Sequence, residues 1–166
     1  MTGNVVVLMK FGDDIKGHST HKGYEDWIHL DSINFGAQRH VTQSSGVSNR
    51  NIGTPTVSTF SATKKMCPAS AKLFLETLAG KAQDCKIHLL SGSSDGKQLN
   101  LVMEYTLRNA FITSHTSNVA AGSDAVVEGI TVCCDAINGV YTPYNAKGEK
   151  GSPFAFGYDI ATGTKT

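Results

Sequence analysis

Between residues 98 and 108, Leu99, Leu101, Met103, Tyr105 and Leu107 alternate with Asn100, Val102, Glu104, Thr106 and Arg108. A period of two puts one face of a strand in a core. At Asn109 the pattern slips, because Ala110 and Ile112 carry the apolar positions onward in the opposite parity. One extra residue flips the faces, so a bulge or corner belongs there. Residues 27–35 slip in the same way: Ile28 and Leu30 share one parity, Ile33 and Phe35 the other, with Asp31 and Ser32 between them. A second bent strand follows. Residues 4–11 form a short apolar run broken by Gly12, which suits a buried strand, and 56–62, 85–90, 128–134 running on to 141, and 154–160 are further strands rich in β-branched or aromatic residues. Bent strands in such number favour a small barrel or a sandwich.

One segment departs from this pattern. From Cys67 the chain offers Pro68 or Ser70 to start a helix, Phe74 and Leu78 paired at i, i+4 on one face, and Gly80 to end it. A single short helix is predicted. Residues 40–55 are too polar and too rich in Ser, Asn and Gly to pack a core, so they read as a long surface loop.

Composition sharpens this picture. The 166 residues fit one domain spanning 1–166. Only 17% of them are charged, below the usual share of about 25%, and 15 Ser and 16 Thr supply the polarity instead. The surface is therefore unusually neutral. A formal charge of +1 provides no field to attract nucleic acid or an anionic membrane, so neither is expected as a partner. No apolar stretch has the length of a membrane span, and residues 1–11 lack the basic region and cleavage site of a signal peptide, so synthesis in the cytoplasm is expected. Cys67, Cys85, Cys133 and Cys134 sit mostly in apolar runs without C-x-x-C spacing, which suits buried thiols better than zinc ligands or disulfides.

Few motifs carry chemistry. Gly92-Ser93-Ser94-Asp95-Gly96 matches the G-x-S-x-G nucleophile elbow, but that device needs a helix after it. A strand follows instead, and Asp95-Gly96 is a preferred hairpin pair. The same stretch misses a P-loop because Gln98 stands where Ser or Thr would bind magnesium. His18 and His21 have H-x-x-H spacing in a Gly-flanked loop without a nearby Cys pair, so they read as solvated loop histidines. Asp13 with Asp14, and Glu25 with Asp26, read as charged strand ends. Neither Cys133 nor Cys134 has an activating His in a recognisable local signature. No catalytic residue, cofactor or metal is assigned.

The chain nevertheless resembles a known family over nearly its whole length. The likeness runs through Gly12-Asp13-Asp14-Ile15-Lys16-Gly17-His18-Ser19, Trp27-Ile28 with Ser32 and Phe35-Gly36, Arg39, Thr63-Lys64, and Ala69-Ser70 with Leu73-Phe74. It continues through Tyr105-Thr106-Leu107, Tyr141-Thr142-Pro143-Tyr144, Gly151-Ser152-Pro153 and Gly157-Tyr158-Asp159. In these residues the protein resembles the hemolysin-coregulated protein (Hcp) family, the inner-tube subunit of type VI secretion. It departs from the family at the helix entry, where Cys67, Pro68 and Ala71 stand, and at Gly122-Ser123-Asp124-Ala125, while Glu128 fits the family's acidic position.

The resemblance implies a mainly β fold, a compact β-barrel of two packed antiparallel sheets with one short α-helix at its side. It implies a structural role and no enzyme: hexameric rings stack into a hollow tube inside a contractile sheath, capped by a VgrG-type spike, and the tube is expelled to the extracellular space or a target cell with effectors in its lumen. The chain ends a few residues past Tyr158-Asp159, so no C-terminal effector extension is expected. On the bent strand, Ile33 and Phe35 face the core, and alternation sends Ser32 and Asn34 to the other face. In a ring lined by a sheet that face is the lumen. The family likeness assigns Ser44, Ser45, Val47, Ser48, Asn49 and Arg50 of the polar loop to ring stacking. Two alternatives are a tube protein of a phage-like contractile injection system and, from a different class, a hydrolase using Ser94 or Cys133.

Overall fold

The computed structural model describes residues 5–43, 50–92 and 98–166. In chain order the elements are β1 (Val5–Phe11), β2 (Ile28–Leu30), β3 (Ser32–Asn34), β4 (Ala37–Gln43), β5 (Arg50–Val57), β6 (Phe60–Lys65), α1 (Ser70–Ala79), β7 (Gln83–Gly92), β8 (Leu99–Asn118), β9 (Val127–Cys133), β10 (Ala136–Tyr141), β11 (Phe154–Asp159) and β12 (Thr164–Lys165). The large sheet runs β12-β11-β10-β8-β7-β1-β2, and the small sheet runs β3-β6-β9-β8. All pairings are antiparallel.

Strand β8 belongs to both sheets, and the slip at Asn109 is where it changes allegiance. Residues up to Arg108 pair with β7 and β10, whereas Phe111 onward pairs with β9. Asn109 takes φ of 49°, a left-handed conformation that Asn tolerates better than most residues. The corner is held from both sides: the Asn109 amide donates to Asp84 Oδ1 at 3.2 Å, and its side chain donates to Asp135. The second predicted corner also forms. Strand β2 joins the large sheet, β3 joins the small one, and the chain turns between them at Asp31.

The two sheets face each other across one core. Phe11, Ile28, Ile87 and Leu107 come from the large sheet, Phe60, Ile112, Ile130 and Val132 from the small one, and Leu73 from the helix. Phe35 stacks on Phe60 with ring centroids 4.0 Å apart and meets Tyr105 edge-on at 4.9 Å. Two packed sheets and one short helix are the expected architecture. The expected barrel is not: the sheet is not closed, because its path ends at β2 on one side and β12 on the other.

Three local expectations are corrected. The polar stretch 40–55 is no simple loop, because β4 and β5 pair from Ala37↔Val57 to Gln43↔Arg50 as a two-stranded hairpin. A ribbon exposed on both faces needs no apolar face, so periodicity could not reveal it. Residues 56–62 are not one strand but the end of β5 and the start of β6, broken where Ser58 bonds the backbone of Gly36 in both directions. In α1, Leu73 is the buried apolar residue, whereas Phe74 and Leu78 lie 50% and 72% exposed. They share a face, but that face points outward.

The connection from β1 to β2, residues 12–27, starts in the core, where Ile15 is buried, and from Gly17 onward folds as a strap on the other face of the large sheet, where Tyr24 and Trp27 pack on His88. Its backbone closes on itself through Gly17 N to Asp26 O at 2.7 Å and Ser19 N to Trp27 O at 3.0 Å. The approach at Gly17 is so close that a Cβ there would lie 2.2 Å from the Trp27 carbonyl oxygen and 2.8 Å from Ile28 Cα. Backbone cannot move aside cheaply. Gly17→Ala should therefore cost about 2 to 4 kcal/mol, read as a shifted urea midpoint, while the exposed control Gly92→Ser, where a Cβ would meet open space, stays within about 1 kcal/mol.

Candidate functional site

The outward face of the small sheet follows from alternation on four strands. Ile33, Phe60, Ala62, Ile130 and Val132 point into the core, so their neighbours must point out. Ser32 pairs with Thr63 and Asn34 with Ser61. Ser61 in turn pairs with Thr131, and Thr63 with Gly129. Across the last ladder Thr131 pairs with Ser114, and Gly129 with Thr116. The result is a field of hydroxyl and amide groups with no charge at its centre. Ser32 Oγ and Thr63 Oγ1 lie 2.6 Å apart, and Thr116 Oγ1 reaches the Gly129 carbonyl at 3.4 Å. Ser32 and Asn34 are both exposed on this face.

Two apolar patches lie elsewhere. On α1, Phe74, Leu75 and Leu78 are exposed, with Met66 beside the helix entry exposed as well. On the large sheet, the core-side row continues past the core to Tyr141, Phe154 and Phe156, of which Phe154 is 64% exposed. Phe156 lies flat over Gly139, where a Cβ would stand 2.3 Å from its ring, so the glycine makes room for the aromatic. Tyr141 and Phe154 stack at 6.4 Å.

Beneath the helix patch sits a buried ion pair that the sequence reading did not single out. Lys64 and Glu128 have fully buried side chains and bond directly to each other. Lys64 Nζ also donates to Ser70 Oγ at 2.9 Å and Cys67 Sγ at 3.3 Å, and Ser70 Oγ donates to Glu128 at 2.7 Å. Ser70 opens α1, which has no side-chain cap at Ala69, so the pair fixes the helix start to β6 and β9. Burial alone would raise the Glu128 carboxyl, but the hydrogen bonds from Lys64 and Ser70 and the Lys64 charge outweigh it and hold it below the ordinary value. A signal was present: Phe60, Ala62 and Lys64 share a parity, which already sends Lys64 inward.

Residues 44–49 and 93–97 fall outside the described residues, so Ser44, Ser45, Val47, Ser48, Asn49 and Ser94 have no structural account here. Arg50 is described only as the first residue of β5. Strand β7 is followed by its antiparallel partner β8 and not by a helix, which removes the setting a nucleophile elbow requires. Burial, with Cys133 and Asp135 nearby, pushes the Cys134 thiol up to about 11, and burial raises Cys85 further. Both remain protonated at neutral pH. Among the described residues no group of three or more His, Cys, Asp or Glu side chains is arranged to hold a metal.

Residues 8–141 match the family described as type VI secretion system effector, Hcp. The chain belongs to the Hcp family. Its fold is similar to a solved type six secretion system protein at 23% identity, covering 98% of this chain and 100% of that one with a TM-score of 0.89. It is also similar to Hcp1 from Salmonella typhimurium at 15% identity, covering 98% and 99% with a TM-score of 0.76. A sheath-tube complex of an extracellular contractile injection system matches over 80% of this chain and 86% of that one, at 21% identity and a TM-score of 0.53. No curated protein matches the sequence. As an Hcp protein, the chain is a tube subunit with a structural role and not an enzyme, which disposes of the hydrolase reading of Ser94 and Cys133. Among the described residues no helix is long and apolar enough to cross a membrane.

Proposed function

We propose that this Hcp subunit closes into six-membered rings that stack into a hollow tube, and that the hydroxyl face of the small sheet lines the channel. The observation that carries the ring is the pair of unlike apolar patches. A cyclic ring needs a heterologous contact, in which one patch of each subunit meets a different patch on the next. The helix patch of Phe74, Leu75 and Leu78 and the aromatic patch of Tyr141, Phe154 and Phe156 are two such surfaces, each open in the single subunit.

The remaining assignments follow from that ring. Ser32 and Asn34 then face cargo, where short neutral donors and acceptors can bond to effectors of either charge. The β4–β5 hairpin projects toward the next ring, and the stacking contacts are assigned to residues 44–50. A contractile sheath around the tube and a VgrG-type spike at its end complete the machine, and export carries the subunit out of the cytoplasm by type VI secretion.

Asn34→Arg tests the channel assignment. The position is exposed and its neighbours are uncharged, so the added charge stays hydrated and the subunit should fold and form rings as before. A closed ring would gain six positive charges around the channel. Capture and export of lumenal effectors should fall by about tenfold or more, consistent with a few kcal/mol of like-charge or desolvation cost. Unchanged cargo capture by intact Asn34→Arg rings would place this face elsewhere.

A further inference from the structure

The strap over the large sheet is footed on histidines at both ends of one cross-strand row. His29 of β2 pairs with Leu8 of β1, Leu8 pairs with His88 of β7, and His88 pairs with Glu104 of β8. All four therefore stand on the face away from the core. Leu8 is fully buried, as is Leu90 one step along, yet neither belongs to the main core cluster. Residues of the strap pack against this face. At one foot, Tyr24 and Trp27 pack on the His88 ring with centroids 5.5 Å and 4.7 Å away. At the other, the strap's His18 and His21 bracket His29, with centroids 5.5 Å and 5.4 Å from it.

We propose that residues 17–27 form an acid-released cover, triggered by the His18–His29–His21 cluster. Near neutral pH His29, which burial keeps unprotonated, packs between the other two imidazoles without penalty. When the medium turns mildly acidic, a proton on His29 puts a charge into this partly buried cluster, and the strap lifts from β2 and β1. Leu8 and Leu90 then become accessible, and the outer face of the large sheet acquires an apolar strip.

The surroundings fix the sign. Burial is the main force disfavouring a proton on His29, followed by His21 and His18; Asp31, at the end of the same strand, opposes them, and the net displacement is downward. From β1 the facing residue is the apolar Leu8. A base held below its ordinary value contributes stability that is complete above that value and is lost as pH falls through the folded one. His88 at the other foot is also held downward: burial is the largest cause and Lys86 adds to it, together outweighing Glu104, whose Oε1 lies 3.6 Å from Nε2, while Tyr24 presents its hydroxyl 3.2 Å from Nδ1. Elsewhere on the strap, Lys16 and Asp26 form an exposed ion pair.

The test is hydrogen–deuterium exchange of the full chain at about pH 7.5 and about pH 5.5, corrected for intrinsic rates. Protection in residues 17–27 should fall about tenfold or more at the lower pH while β7 and β8 stay protected. The exposed-side double variant His18→Gln/His21→Gln leaves His29 alone and should reduce that change to about twofold or less. A strap whose protection does not change with pH overturns the proposal. So does an equal change in the double variant, which would remove the cluster as trigger, and so does a loss shared with β7 and β8, which would mean general acid unfolding.

Discussion

Glu128→Ala should destabilise the subunit by about 3 to 5 kcal/mol, because Lys64 would be left in a fully buried site with no carboxylate to meet it. In a domain of this size that is a fall in melting temperature on the order of 10 °C or more. Lys64→Met should cost a similar amount for the mirror reason. The double replacement Lys64→Met/Glu128→Leu should recover most of the loss, since apolar residues of similar volume remove both desolvation penalties together. A double-mutant cycle by urea denaturation measures this directly, and additive losses would show that the pair is not coupled. The pH dependence has a definite sign. Glu128 is held below the ordinary glutamate value of 4.5, so its contribution is complete above that pH and is lost as pH falls through the folded value. Because Ser70 joins the same cluster, loosening it should also disturb α1 and with it the patch offered to a neighbouring subunit.

Phe156→Glu and Leu78→Glu should each abolish ring assembly while leaving the subunit folded, since each puts a charge into an exposed apolar patch and not into the core. Buried aromatic and aliphatic anchors at interfaces are worth about 2 kcal/mol or more apiece, so the association constant should fall by at least about thirtyfold per contact. Mixing the two variants is more telling than either alone. Each keeps one good patch, the helix patch in Phe156→Glu and the aromatic patch in Leu78→Glu. A heterologous contact therefore predicts one-to-one heterodimers that cannot close. Sedimentation showing full rings from either variant, or no heterodimer from the mixture, would refute the pairing of these two patches.

How far the sequence revealed this structure depended on whether burial imposed a pattern on it. The corner at Asn109 and the turn at Asp31 were legible because both flanking strands bury one face, and a slip of one residue exchanges the faces. Ser32 and Asn34 could be sent outward by the same reasoning, as exposed neighbours of Ile33. The hairpin of β4 and β5 was illegible because neither of its faces is buried, and even its apolar cross-strand pair Val41 with Ile52 is exposed. In α1, i, i+4 spacing correctly placed Phe74 and Leu78 together but could not say which face met the core. Leu73 fills that role alone, which frees the other two for a partner. Lys64 was sent inward by parity, but finding its counter-ion required bringing together residues 64 positions apart. The meeting of His18, His21 and His29 depends likewise on how the strap folds back onto β2.

Native mass spectrometry of the purified full chain, with negative-stain electron microscopy of the same sample, tests ring formation most directly. At about 10 μM and moderate ionic strength, six subunits of 17.7 kDa should give a species of about 106 kDa, seen as annuli with an open centre. A sample that remains at 17.7 kDa under those conditions, with no annular particles, would contradict the ring and the channel assigned to its hydroxyl-lined face.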